Sequence, residues 1–220
     1  MIFNDRVDAG RQLAEQLRKY ANRNDVVILG IPRGGVPVAY EVAVALGVPL
    51  DIFVSRKLGV PGEEELAFGA VATGGVRVLD HDLIQSVGIS KEEVERITER
   101  VRAEVLRREK LYRGSRPPAR LDGKIAILVD DGIATGSSML AAIQALRHLK
   151  PASIVVAVPV APLSTCDRLR KEVDDLICVQ TPEDFFAIGN FYSDFSQTAD
   201  SDVTELLDRA APRPKHQHVS

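Results

Sequence analysis

Ile127-Leu128-Val129-Asp130-Asp131-Gly132-Ile133-Ala134-Thr135-Gly136-Ser137-Ser138-Met139 reads as an apolar strand, two carboxylates, a loop of small residues and the first turn of a helix. The two halves suit two groups of one ligand. Adjacent carboxylates at a strand end accept hydrogen bonds from vicinal hydroxyls, as on a ribose. The loop from Gly132 to Ser138 brings backbone N–H groups, three hydroxyls and a helix N-terminus, which together suit a phosphate. The stretch therefore reads as a cradle for a ribose 5-phosphate. An ordinary βα turn is the bland alternative, but such a turn seldom joins two strand-end acids to Ala-Thr-Gly-Ser-Ser.

Outward from this stretch, short apolar strands alternate with helical segments. Residues 26–29, 49–54, 125–129, 153–158 and 176–179 read as strands, with a further pair at 67–72 and 76–79 joined through Thr73-Gly74-Gly75. Helical spacing marks 5–21, after an Asn4 or Asp5 cap, then 34–46, 137–149 and 164–173. Ser90-Lys91-Glu92-Glu93 is a capping box that opens a long charged helix to about Tyr112, and Gly114-Ser115-Arg116-Pro117-Pro118 ends it. In that helix Val94, Ile97, Val101, Val105 and Leu106 form an apolar stripe, read as a packing arm or part of a dimer contact. The alternation predicts an α/β fold, a parallel sheet flanked by helices.

Composition narrows the function. The chain has 220 residues, 45% hydrophobic and 27% charged, as expected for one domain over residues 1–212 with a disordered polar tail at 213–220. A net charge of −3 without a basic block argues against a nucleic-acid partner. No apolar run approaches ~20 residues, so no membrane span is expected. The first residues show no basic region followed by an apolar stretch, and a cytoplasmic location is expected. Cys166 and Cys178 are too few for a disulfide framework or a zinc site, and the four histidines form no ligand set, so no protein metal cage is expected.

Three more segments follow predicted strands. In Gly30-Ile31-Pro32-Arg33-Gly34-Gly35 the glycines let backbone N–H groups approach an anion and Arg33 adds charge. Gly30 and Gly35 have P-loop spacing, yet Val36 and Pro37 replace the required lysine and hydroxyl residue. Ser55 to Glu65 combines Arg56 and Lys57 with Gly59, Pro61 and Gly62, either a working basic loop or a solvated turn. Thr181 to Tyr192 holds four of the eleven aromatic side chains, which could stack on a planar heterocycle or simply pack a core.

The opening stretch resembles the signature of type I phosphoribosyltransferases, which bind 5-phosphoribosyl-1-pyrophosphate (PRPP). Four apolar residues precede two acids, two variable positions, Ala, Thr-Gly and small hydroxyl residues. The resemblance implies a type I phosphoribosyltransferase-like parallel sheet flanked by helices, with a small hood near 181–195. It implies transfer of phosphoribose from PRPP to a small-molecule acceptor, with release of pyrophosphate. Asp130 and Asp131 would bind the ribose hydroxyls, and Gly132, Ile133, Ala134, Thr135, Gly136, Ser137 and Ser138 the 5′-phosphate. Arg33, Gly34 and Gly35 would bind pyrophosphate, with a non-proline cis peptide expected between Pro32 and Arg33. Residues 55–65 would be the mobile loop that closes over PRPP, placing Arg56 and Lys57 on the leaving group. Lys57 and Asp131 are the expected catalytic residues, and Phe186 and Tyr192 the expected acceptor contacts. Mg²⁺ would arrive with PRPP, and a homodimer is expected.

One position departs from part of that family. Members that use hypoxanthine or guanine usually carry an acid where this chain has Ala134, which points away from 6-oxopurines and leaves other nucleobases or an amine open. Two other readings compete. One is a PRPP-sensing regulatory protein that transfers nothing. The other is a hydrolase built on Asp130-Asp131, which would need further ligands, with only Asp51 and Asp80 as loose candidates.

Overall fold

The computed structural model describes residues 2–211, without the side chains of Glu64 and Glu65, and the tail expected at 213–220 lies outside the described residues. In chain order the elements are α1 (Arg6–Gln16), β1 (Val26–Gly30), α2 (Gly35–Leu46), β2 (Leu50–Ile52), β3 (Ser55–Val60), β4 (Glu63–Ala72) and β5 (Val76–Leu79). They continue with α3 (His81–Val87), α4 (Lys91–Arg113), β6 (Ile125–Val129), α5 (Ser137–Arg147), β7 (Ser153–Val160), α6 (Leu163–Leu169), β8 (Asp175–Gln180) and α7 (Asp200–Ala210).

Five strands form one parallel sheet in the order β2-β1-β6-β7-β8. Their near-continuous apolar sequences are what a sheet covered on both faces requires. Val26, Ile28, Ile127, Val129, Val155 and Ala157 pack on one side against Leu13, Leu17, Val38 and Val42 of the α1–α2 layer. Val27, Leu29, Leu128, Val156 and Val158 pack on the other side against Met139, Ile143 and Leu146 of α5 and Leu169 of α6. The chain winds outward from β1 to β2, and from β6 to β7 and β8. The strand order therefore reverses between β1 and β6, and the crevice beyond their carboxyl ends is where such sheets bind ligands.

A second sheet departs from expectation. Residues 55–65, expected as a mobile loop, form most of the hairpin β3–β4, which with β5 makes an antiparallel sheet of three strands. Pro61-Gly62 supplies its turn, with Gly62 at a φ of +84° that favours glycine. Leu58 and Val60 give the hairpin an apolar side that packs with Phe68, Val71, Val94 and Ile97. Burial of that side favours paired strands in a segment whose charges and turn residues alone suggest a loop.

The helices follow their caps. The Asp5 carboxylate accepts from the Asp8 amide at 2.8 Å, and Ser90 Oγ from the Glu93 amide at 3.1 Å. Along α4, Val94, Ile97 and Val105 are buried as expected, but Leu106 is 52% exposed and belongs to the opposite face. Two helices, α3 and α7, lie outside the sequence expectation. Helix α3 is capped by Asp80, and α7 buries Val203 and Leu207 beside α4. Among the described residues no helix is long and apolar enough to cross a membrane.

Candidate active site

Strand β6 delivers Asp130 and Asp131 to its carboxyl edge, and the loop after β1 is drawn against it. The Ile31 amide donates to the Val129 carbonyl at 2.9 Å. The Pro32–Arg33 peptide is cis. A Cβ on Gly34 would overlap Asp131 Oδ2, and one on Gly35 would lie 2.7 Å from the Val129 carbonyl oxygen. Only glycines let this loop touch the two acids, which gives Gly34 and Gly35 a physical reason beyond flexibility.

The two acids differ in their partners. Asp130 Oδ1 accepts from the Asp131 amide at 2.9 Å, and the residue faces a cavity. Asp131 Oδ2 accepts from Arg6 Nε at 2.8 Å, and the Arg6 guanidinium also donates to the Ser196 carbonyl at 2.7 Å. The same guanidinium lies 4.0 Å from the centre of the Phe195 ring. Burial, then the charge of Asp131, pushes the Asp130 carboxyl well above the usual carboxylate range. Burial also raises Asp131, while the charge and hydrogen bonds of Arg6 pull against that rise.

Sequence reasoning missed Arg6. It opens α1, 125 positions from Asp131, and looks like any surface arginine in the first turn of a helix. Tyr192 also reaches this acid, donating its hydroxyl to the Asp131 carbonyl at 2.5 Å. Its ring, expected to stack on an acceptor, instead packs between Phe3 and Phe195 with centroids 5.4 and 4.9 Å away. Tyr192 is thus a buried support beneath Asp131, because Phe3 pairs with the hood segment and packs on the ring. Phe186 is 86% exposed, with its ring open to solvent.

Beyond the acids, Gly132 to Ser138 folds as a tight loop into α5. Gly136 sits at a φ of +74° immediately before that helix, leaving its first-turn amides without intrahelical acceptors. Thr135 Oγ1 and Ser137 Oγ are 3.3 Å apart on this loop. Helix α6 braces it from outside: Thr165 Oγ1 donates to the Ala134 carbonyl at 2.8 Å, and Arg168 Nη2 to the Thr135 carbonyl. Arg168 therefore adds a cation beside the loop that the sequence had not singled out.

A cavity of about 650 Å³ opens from Asp130 and Ser138. Pro32 and the β3 residues Ser55, Arg56 and Lys57 line it, and α4 closes the far side. Arg33 does not line it; its guanidinium lies 3.9 Å from Asp200 at the start of α7.

The loose metal candidates have structural duties. Asp51 accepts from Arg113 Nε and from the Ala119 amide, both at 2.8 Å, and Asp80 caps α3. Among the described residues no group of three or more His, Cys, Asp or Glu could hold a metal ion. Cys166 is buried, and the half-buried Cys178 directs its thiol to the Gln180 carbonyl at 3.0 Å.

A family model described as "Phosphoribosyl transferase domain" matches residues 2–196. Two Mycobacterium tuberculosis proteins, from strains CDC 1551 and H37Rv and each named "putative phosphoribosyl transferase", are 45% identical over 209 residues, or 95% of this chain. The match takes in 47% of each of them, so the chain spans about half the length of the curated relatives it matches. A crystal structure of TT1426 from Thermus thermophilus is also similar, with a TM-score of 0.87 and 41% identity across 96% of this chain and 100% of that one.

Proposed function

The chain belongs to the phosphoribosyl transferase domain family and has its type I fold, and from that premise we propose that it transfers the 5-phosphoribosyl group of PRPP to a nitrogenous acceptor other than a 6-oxopurine. The observation that carries this reading is one edge of the sheet, where Asp130 and Asp131 meet both the Gly34-Gly35 loop and the loop that opens α5. The carboxylates bind the ribose 2′- and 3′-hydroxyls. Asp131 keeps Oδ1 for this, since Arg6 occupies its Oδ2. The amides and hydroxyls of Thr135 to Ser138 hold the 5′-phosphate. The amides of Arg33 and Gly34 hold the pyrophosphate, while the Gly35 amide, expected to join them, donates to the Ile31 carbonyl at 3.1 Å.

In the reaction the bond between C1′ and the pyrophosphate oxygen breaks, its electron pair leaving with pyrophosphate. A bond forms from the acceptor nitrogen to C1′, and that nitrogen gives up its proton. The ribose becomes cationic and the leaving group anionic on the way. Asp130 and Asp131 lie on the ribose side of that separation, Arg56 and Lys57 on the other. Mg²⁺ would neutralise pyrophosphate charge. A site without a three-ligand protein cluster among its described residues fits an ion carried in mainly by phosphate oxygens and water.

At Ala134 no side chain can exchange a proton with the acceptor, and the Ala134 carbonyl is taken by Thr165. The exposed ring of Phe186 offers a planar acceptor a stacking face. The test is Mg²⁺- and PRPP-dependent pyrophosphate release across purines, pyrimidines and simple amines, with Asp130→Asn as control. Release with one acceptor, lost in the variant, supports the transferase and names its substrate class. PRPP binding without release for any acceptor supports a sensor of PRPP instead.

A further inference from the structure

The leaving-group cavity has a wall that the signature does not explain. Arg33, the cation of the 31–34 loop, is turned to Asp200 and does not line the cavity. Helix α4 takes its place. Arg96 and Arg100 are neighbours at i and i+4 on the helix, Arg108 lies two turns further on, and all three line the cavity that holds Asp130 and Lys57.

These cations are not equivalent. Arg96 is paired with Glu93, and Arg108 with Glu104, each at 2.5 Å. Arg100 and Arg56 have no ion-pair partner among the described residues. Burial, and after it the charge of Arg108, holds the Arg56 guanidinium below its usual range, so like charges face this cavity together. In the same wall the Ser55 hydroxyl is buried without a hydrogen-bond partner among the described residues. Several cations beside a buried hydroxyl form a surface that suits an anion with acceptor oxygens.

We propose that Arg100 is a leaving-group residue, binding the pyrophosphate of PRPP from the α4 side together with Arg56 and Arg108. This rests on the phosphoribosyl-transfer reading above and adds a third wall to it. A guanidinium can offer two parallel N–H donors to adjacent phosphate oxygens, and its charge gains value as the C1′–O bond breaks and the electron pair moves to pyrophosphate. The helix read from sequence as a packing arm or dimer contact thereby enters the chemistry.

The test is calorimetric titration of wild type, Arg100→Gln and Arg100→Glu with ribose 5-phosphate, with magnesium pyrophosphate and with PRPP. Arg102→Gln, a change outside the cavity, is the control. The expected result is an unchanged affinity for ribose 5-phosphate and a loss of about 10- to 100-fold for pyrophosphate and PRPP in Arg100→Gln. Arg100→Glu, which adds an anion to the cavity, deepens that loss. Wild-type affinity for pyrophosphate in both variants would overturn the assignment, and so would an equal loss for ribose 5-phosphate, which would mark a structural role. If wild type bound neither ribose 5-phosphate nor PRPP, the transferase reading itself would fall, a result distinct from either of those.

Discussion

Asp130 and Asp131 are adjacent in sequence and unlike in surroundings. Asp130 has a raised pKa from burial and a neighbouring charge, and Arg6 is no partner of its oxygens. A carboxyl raised in this way favours the folded state most below its unfolded pKa, and that stability is lost as pH rises through the folded value. Asp130→Asn removes the loss. It should raise the melting temperature at pH 7, by about 2–4 °C per kcal/mol for a chain of this size, while abolishing PRPP binding. Differential scanning calorimetry beside a PRPP titration checks both halves. Arg6→Gln should act oppositely. Without the guanidinium Asp131 ionises at higher pH, so the pH at which ribose 5-phosphate binding reaches half its maximum should move up, and the fold should weaken. An unmoved pH profile would remove Arg6 from the site. The acids were legible because they interrupt an apolar run beside small residues. Arg6 was not, because its role depends on how α1 docks beside the hood.

At the scale of elements, the sequence announced the strands and helices of the main sheet through uninterrupted apolar runs and caps such as Asp5 and Ser90. It concealed the hairpin. Pro61-Gly62 is an ordinary two-residue turn, and Leu58 with Val60 alternates as a strand should, but Arg56, Lys57 and three glutamates dominate the composition. Tertiary burial against α4 decides the matter. The hairpin also bears on the proposed role of Lys57, since a paired strand presents a side chain more reproducibly than a loop does. Lys57→Ala should lower turnover by about 10²–10³-fold with a smaller loss in PRPP affinity, as expected where a cation meets charge that develops on the leaving group. Equal losses in the two measurements would assign Lys57 to ground-state binding.

For the whole molecule, the reversal of strand order between β1 and β6 places the two proposed ligand loops side by side, an adjacency the sequence did not specify, since alternating strands and helices imply a parallel sheet but not its strand order. The position of α4 is no better specified, because a long charged helix can lie anywhere its narrow apolar stripe is covered. One buried group holds its end. Arg113 donates to Asp51 at 2.8 Å, to the Ile52 carbonyl at 2.7 Å and to Glu109 at 2.5 Å, and Asp51 in turn accepts the Ala119 amide. This clamp joins α4 to the edge strand β2 and to the segment leading into β6, so the helix cannot slide along the cavity without breaking it. Arg113→Ala leaves the Asp51 carboxylate buried without its cation and should cost about 3–5 kcal/mol of stability. Arg113→Met paired with Asp51→Asn keeps most of the volume and leaves only the Glu109 carboxylate without its cation, so it should recover part of that loss. Chemical denaturation of the single and double variants measures the recovery. If the clamp positions the cationic wall as well as stabilising it, the stable double variant should still bind pyrophosphate more weakly than wild type while binding ribose 5-phosphate equally well. Equal affinity for both ligands would limit Arg113 to stability and leave the register of α4 to its apolar contacts.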